Sequence, residues 1–136
     1  MTVGVLLITH GNIGAVLLQS ALDILAVCPL PAMNLAAPSG CDPEQVLQDA
    51  RRAAGPLDSG HGVLVLTDMY GATPSNIACQ LGDFHRVRVV SGVNLPMLIR
   101  VLNYADLELD ELASKAISGG RDGVLPCKRK HSAHAE

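Results

Sequence analysis

The sequence predicts an α/β fold, a doubly wound and mainly parallel sheet with helices on both faces. Two observations predict it. Apolar runs rich in β-branched residues alternate with segments of helical period along the whole chain. The 136 residues are 49% hydrophobic but only 2% aromatic, so the core must be aliphatic, as it is where parallel strands are covered on both faces. A chain of this length makes one domain with a core large enough to need no staples.

The first strand is expected over Thr2 to Thr9 and the first helix from about Asn12 to Ala26, where Ile13, Val16, Leu17, Ala21, Ile24 and Leu25 recur at helical spacing. Pro29 and Pro31 close that helix, and a short extended stretch, Ala32 to Ala36, forms a second strand. After the loop Pro38-Ser39-Gly40-Cys41, Asp42-Pro43-Glu44 opens a second helix as an N-cap followed by proline, and Gly55-Pro56 is expected to stop it. The run Gly62 to Thr67 reads as a third strand ending at Asp68. Thr73, as N-cap, and Pro74, at the first helical position, start a helix to about Gly82. A fourth strand, Arg86 to Ser91, leads through Gly92-Val93-Asn94 to a helix from Leu95 to about Tyr104, and the last helix runs from about Leu109 to Ile117.

Composition narrows the function classes. With 10 basic against 13 acidic residues and no basic face, nucleic acid is not an expected partner. The apolar stretches are interrupted by Gln19, Asp23, Pro29 and Pro31, and the start of the chain lacks the positive region of an export signal, so a cytoplasmic protein with no membrane insertion is expected. Cys28, Cys41, Cys79 and Cys127 form no C-x-x-C pair and read as free buried thiols rather than a zinc cage or disulfide framework. His61 and His85 read as surface histidines.

His10 stands where the first strand gives way to the turn Gly11-Asn12-Ile13-Gly14. Ligands of open α/β sheets bind at the carboxyl ends of the strands, and neutral imidazole is a usable nucleophile near pH 7. On position alone His10 is equally a histidine that hydrogen-bonds a loop. Asp68 ends the third strand; if that strand neighbours the first, its carboxylate can hold one ring nitrogen and leave the other lone pair free. Asp68 could equally be a turn residue. The start of the helix at Thr73-Pro74-Ser75-Asn76 offers unpaired N–H groups and hydroxyls to an anion. A nucleophilic histidine beside an anion site points to phosphate chemistry, while the absence of G-x-x-x-x-G-K-[ST] and G-x-G-x-x-G excludes the familiar nucleotide cradles. Phosphoryl transfer through histidine needs no metal and no cofactor, only in-line approach and donors for three oxygens.

Thr9-His10-Gly11, the strand ending in Asp68, Gly71-Ala72-Thr73-Pro74-Ser75-Asn76, Gly92 to Leu98 and Gly120-Arg121-Asp122-Gly123-Val124 closely resemble the enzyme IIA domain of the mannose class of the bacterial phosphoenolpyruvate-dependent sugar phosphotransferase system. The resemblance spans residues 1–126 and leaves 127–136 as a short polar tail. It implies a phosphotransferase in which His10 accepts a phosphoryl group from HPr through Nε2 and passes it to a IIB component, here a separate protein. It implies that Asp68 orients the ring through Nδ1, and that Thr73, Gly71 and Ser75 bind the phosphoryl oxygens. It also implies sugar transport or signalling by phosphorylation state, an antiparallel edge strand formed by Val124-Leu125, and a homodimer that exchanges this strand.

The chain departs from the family pattern at Tyr70, where a tryptophan is common, at Ala72, where a second glycine is common, and at Pro126, which cuts the last apolar run short. Two other readings stand beside the carrier. One is a non-catalytic regulatory docking module; the other is the phosphodonor subunit of a dihydroxyacetone kinase, against which the Gly92 to Leu98 segment argues. A histidine phosphohydrolase is disfavoured because the sequence places no arginine near His10 to clamp a phosphoester.

Overall fold

The computed structural model describes residues 2–83 and 86–128. Four strands, β1 (Gly4–His10), β2 (Ala32–Ala37), β3 (Val63–Thr67) and β4 (Val87–Ser91), form one sheet in the order β2-β1-β3-β4. Every pairing is parallel. Five helices connect and follow them: α1 (Ile13–Leu25), α2 (Pro43–Leu57), α3 (Thr73–Gln80), α4 (Leu95–Asn103) and α5 (Leu109–Asp122). The expected α/β fold with helices on both faces is therefore observed.

Strand alternation divides the core into two layers. Val5 and Leu7 of β1, Leu64 and Leu66 of β3 and Val90 of β4 pack against α1, α4 and α5. Leu6 and Ile8, with Val63 and Val65, pack against α2 and α3. Because β1 and β3 are buried on both faces, they read as unbroken aliphatic runs.

Several boundaries differ from expectation for identifiable reasons. β1 extends to His10, which pairs with Ala37, so the imidazole is carried on the ladder itself. α2 continues through Gly55-Pro56. The extra turn buries Leu57, which contributes roughly 1.5–3 kcal/mol, of the same order as the ~3 kcal/mol that proline costs inside a helix. The end is closed by the Asp58 N–H, which donates to the carbonyls of Ala54 and Gly55. α5 runs five residues beyond Ile117, to Asp122, because Gly119 and Gly120 serve close helix packing and not helix termination. A Cβ on Gly119 would lie 2.8 Å from the Cβ of Arg100, and one on Gly120 would lie 2.8 Å from the Cε of Met97.

Two further expectations are corrected. Val124 and Leu125 belong to no strand of the single chain and are both 75% exposed, so all four strands among the described residues are parallel. The cysteines are free, as expected, but not buried: Cys28, Cys79 and Cys127 are exposed and Cys41 is half-buried. Cys28 lies in the loop after α1, where its thiol meets the Leu30 carbonyl at 2.9 Å. His61 is exposed as expected, whereas His85 and tail residues 129–136 lie outside the described residues.

Gly4 marks a close approach of α2 to the sheet, since a Cβ there would run into the backbone carbonyl of Leu57. Gly4→Ala is expected to destabilise the fold by about 1–3 kcal/mol, measured by urea denaturation; an unchanged midpoint would show that α2 moves aside freely.

Candidate functional site

The chain passes from β1 to β2 on one side of the sheet and then to β3 on the other, so the carboxyl end of β1 is a topological switch point. His10 stands there. In the β1–β3 register Ile8 lies opposite Thr67, which brings the next residue of β3's chain, Asp68, beside the end of β1. Its Oδ2 accepts from the His10 ring at Nδ1, 2.8 Å away, and from the His10 backbone N–H at 3.2 Å. One carboxylate oxygen thus fixes both the main chain and the ring of the same residue.

The side chain of Asp68 is 12% exposed and that of His10 48%. Burial alone would raise the Asp68 pKa. It is outweighed by the hydrogen bonds from the His10 ring and backbone, by the Asp68 backbone N–H and by the attraction of the ring charge, and the net shift is downward. A carboxylate held ionised keeps the proton on Nδ1 and leaves the lone pair on Nε2, the nitrogen turned away from Asp68. The structure therefore brings together the two residues that the sequence singled out as a pair.

His10 borders a cleft of about 260 Å³ walled by the loop Ala37 to Cys41, by Pro43 at the start of α2, and by Thr73 and Pro74 at the start of α3. Two helix N-termini face it, a favourable setting for an anion. Thr73 is not the N-cap of α3, as its side chain suggested. Ala72 occupies that position and offers no side-chain acceptor, so Thr73 and Pro74 are the first two helical residues. The first intrahelical bond runs from the Asn76 N–H to the Ala72 carbonyl, which leaves the N–H groups of Thr73 and Ser75 without a partner inside the helix.

The other two residues expected at the phosphoryl group are Gly71 and Ser75. Gly71 takes a φ of +82°, forming the turn between Asp68 and α3. Ser75 is buried, and its hydroxyl meets that of Ser91 at 3.3 Å rather than lining the His10 cleft. Among the described residues no group of three histidine, cysteine or acidic side chains is placed to hold a metal ion.

Sequence reasoning missed two parts of the site. The wall Pro38-Ser39-Gly40-Cys41 follows β2, and only the pairing of β2 with β1 shows that it faces His10. The second is Thr9, whose buried Oγ1 accepts from the Gly14 N–H at 2.7 Å and caps α1 from three residues before its N-cap Asn12, which makes no side-chain cap bond.

The family model of the fructose IIA component of the phosphotransferase system matches residues 4–117. The chain belongs to this family. It is 32% identical over 133 residues to the mannose-specific EIIAB component of Escherichia coli, which covers 96% of this chain and 41% of that relative's length. It is 37% identical over 79 residues to the fructose-specific EIIA component of Bacillus subtilis, covering 54% of each. Among solved structures, the mannose/sorbose-specific IIA subunit of Enterococcus faecalis superposes with a TM-score of 0.82 at 25% identity, covering 95% of this chain and 97% of that one. IIA components of this family are phosphotransferases that carry a phosphohistidine.

Because its pKa is lower folded than unfolded, Asp68 stabilises the fold fully above its ordinary value of 3.8, and this contribution is lost as pH falls through the lower folded value. The stability difference between the native protein and Asp68→Asn, measured by urea denaturation, is expected to be constant near neutrality and to shrink in acid below that value. A difference independent of pH would show that the His10 contacts do not hold this carboxylate ionised.

Proposed function

We propose that this IIA chain accepts a phosphoryl group from HPr on Nε2 of His10 and passes it to a IIB component in the cytoplasm. The observation that carries the reading is the Nδ1 bond to Asp68, which leaves Nε2 as the free nucleophile beside two helix N-termini. In the forward step the Nε2 lone pair forms a bond to phosphorus while the bond from phosphorus to the donor's histidine nitrogen breaks, and that nitrogen keeps the electron pair. The His10 ring becomes cationic, and the Asp68 carboxylate stabilises it. Thr73 supplies its hydroxyl and N–H to the equatorial oxygens, joined by the N–H of Ser75; Gly71 contributes by shaping the turn that presents them. No metal or cofactor is required. Transfer to IIB reverses the same geometry with a new acceptor.

The expected result of incubation with phosphoenolpyruvate, enzyme I and HPr is one added phosphate by intact mass, acid-labile, dependent on HPr and absent from His10→Ala. No phosphate on the native chain, with the same donors active on another acceptor, would leave a docking module as the reading.

The same chain forms a homodimer by strand exchange. Among the described residues β4 ends the sheet with an unpaired edge, and a groove of about 540 Å³ beside it is lined by Val89, Ser91, Met97, Ile117 and Val124. The exposed Val124-Leu125 run supplies a strand for the partner's groove, and Pro126, which cannot donate to a ladder, ends it. Sedimentation velocity is expected to show a dimer for the whole chain and a monomer for a variant ending at Gly123; equal sedimentation of both as monomers would remove strand exchange.

A further inference from the structure

Three hydroxyls from three elements meet at the carboxyl end of the sheet. Thr67 ends β3 and lies directly opposite Ser91, which ends β4. Their hydroxyl oxygens are 2.9 Å apart, and Ser75 in the first turn of α3 meets Ser91 at 3.3 Å. Ser91 is the hub of this chain. A hydroxyl has one proton and two lone pairs, so Ser91 can donate along one link while accepting along the other, and both links are satisfied in either direction.

Each end of the chain touches the site. Thr67 immediately precedes Asp68, and its carbonyl accepts from the Val93 N–H at 2.9 Å, which ties the turn after Ser91 to β3. Ser75 shares a helical turn with Thr73, so a shift of one moves the other. The remaining polar bonds at the start of α3 are local: the Ala72 N–H donates to the Met69 carbonyl, and the Asn76 side chain to the Gly71 carbonyl. Beside the apolar packing of Ile77 and Ala78 on the strands, the Ser75–Ser91 link is the polar bond that ties this turn to the sheet that carries Asp68 and His10. Thr67 and Ser75 are buried, where competition from water for these bonds is weak.

We propose that Ser91, through Thr67 and Ser75, is a positioning residue that fixes the start of α3 relative to the His10–Asp68 pair, and that the Ser75 hydroxyl serves this register and not the phosphoryl group. The inference rests on the phosphocarrier reading above and deepens it. Displacement of donors by a fraction of an ångström weakens them at the transition state more than in the encounter complex, so the effect belongs in the transfer step and not in donor binding.

The test measures transfer from phosphorylated HPr to the full chain by rapid quench for the native protein, Ser75→Ala, Ser91→Ala, the double variant and Ser91→Thr. Each alanine variant is expected to lower the rate at saturating donor by roughly three- to tenfold, with the donor KM near native. The double variant is expected to be no slower than the slower single one. Ser91→Thr, which keeps a hydroxyl able to make both links, restores most of the rate. Additive losses would assign Ser75 an independent contact with the phosphoryl group and overturn the proposal; so would native rates in Ser91→Ala, or a loss confined to KM. Should Ser91→Ala not fold, Thr67→Val, which removes the other link, replaces it in the cycle. In the unphosphorylated chain, the Thr73 amide and His10 Nδ1–H signals are expected to shift in Ser91→Ala but not in Ser91→Thr. If the native chain takes no phosphate from HPr, the carrier reading fails separately, and these signals alone decide whether Ser91 holds the site.

Discussion

The site depends on a single carboxylate oxygen. Oδ2 of Asp68 receives both the ring and the backbone N–H of His10, so neither the tautomer nor the direction of the free lone pair is left to rotation about the side chain. Charge-assisted bonds of this kind are about twice as strong as neutral ones. The two partners need no adjustment of the chain to meet, because they end neighbouring strands and the ladder between β1 and β3 sets their separation. A fold that placed another strand between β1 and β3 would leave both residues at strand ends and separate the pair.

That anchor creates an electrostatic problem which the helices answer. On the carrier reading, the Asp68 carboxylate, 12% exposed, repels an incoming phosphoryl group that is bound for the ring it holds. The cleft is walled by the first residues of α2 and α3, whose dipoles present positive ends. In α2 the cap is occupied, since Asp42 accepts from the Glu44 N–H at 3.1 Å. In α3 the cap position is Ala72, which accepts nothing with its side chain, and the donors there remain available. On that reading the difference between the two caps favours the start of α3 for the anion.

The buried hydroxyls show how the apolar interior hands over to this polar edge. Among the described residues, the buried polar side chains are those of Thr9, Thr67 and Ser75, all near the carboxyl ends of the strands. Each has a partner: Thr9 receives the Gly14 N–H, and Thr67 and Ser75 meet Ser91. A buried hydroxyl without a partner is costly, so these bonds specify where α1 and α3 begin as well as stabilising them. Gly14 fits the same arrangement, because a Cβ there would collide with the side chains of Asn34 and Thr9.

The sequence by itself determined the four strands, the five helices, His10 and Asp68, because aliphatic runs and helical periodicity are local signals and both residues sit at the ends of such runs. It misplaced the ends of α2 and α5, where Pro56 and Gly119-Gly120 read as terminators; only the burial of Leu57 and the closeness of α4 show why the helices continue. It made Thr73 a cap on residue type, whereas its place follows from where α3 starts, and it gave no sign that the Ser75 hydroxyl meets Ser91 across from it. The tertiary structure decided that Asp68 reaches His10, that the loop after β2 walls the cleft, and that Ser75 turns to Ser91. Each is a contact between residues distant in the chain, set by strand order and register, which a one-dimensional pattern does not carry.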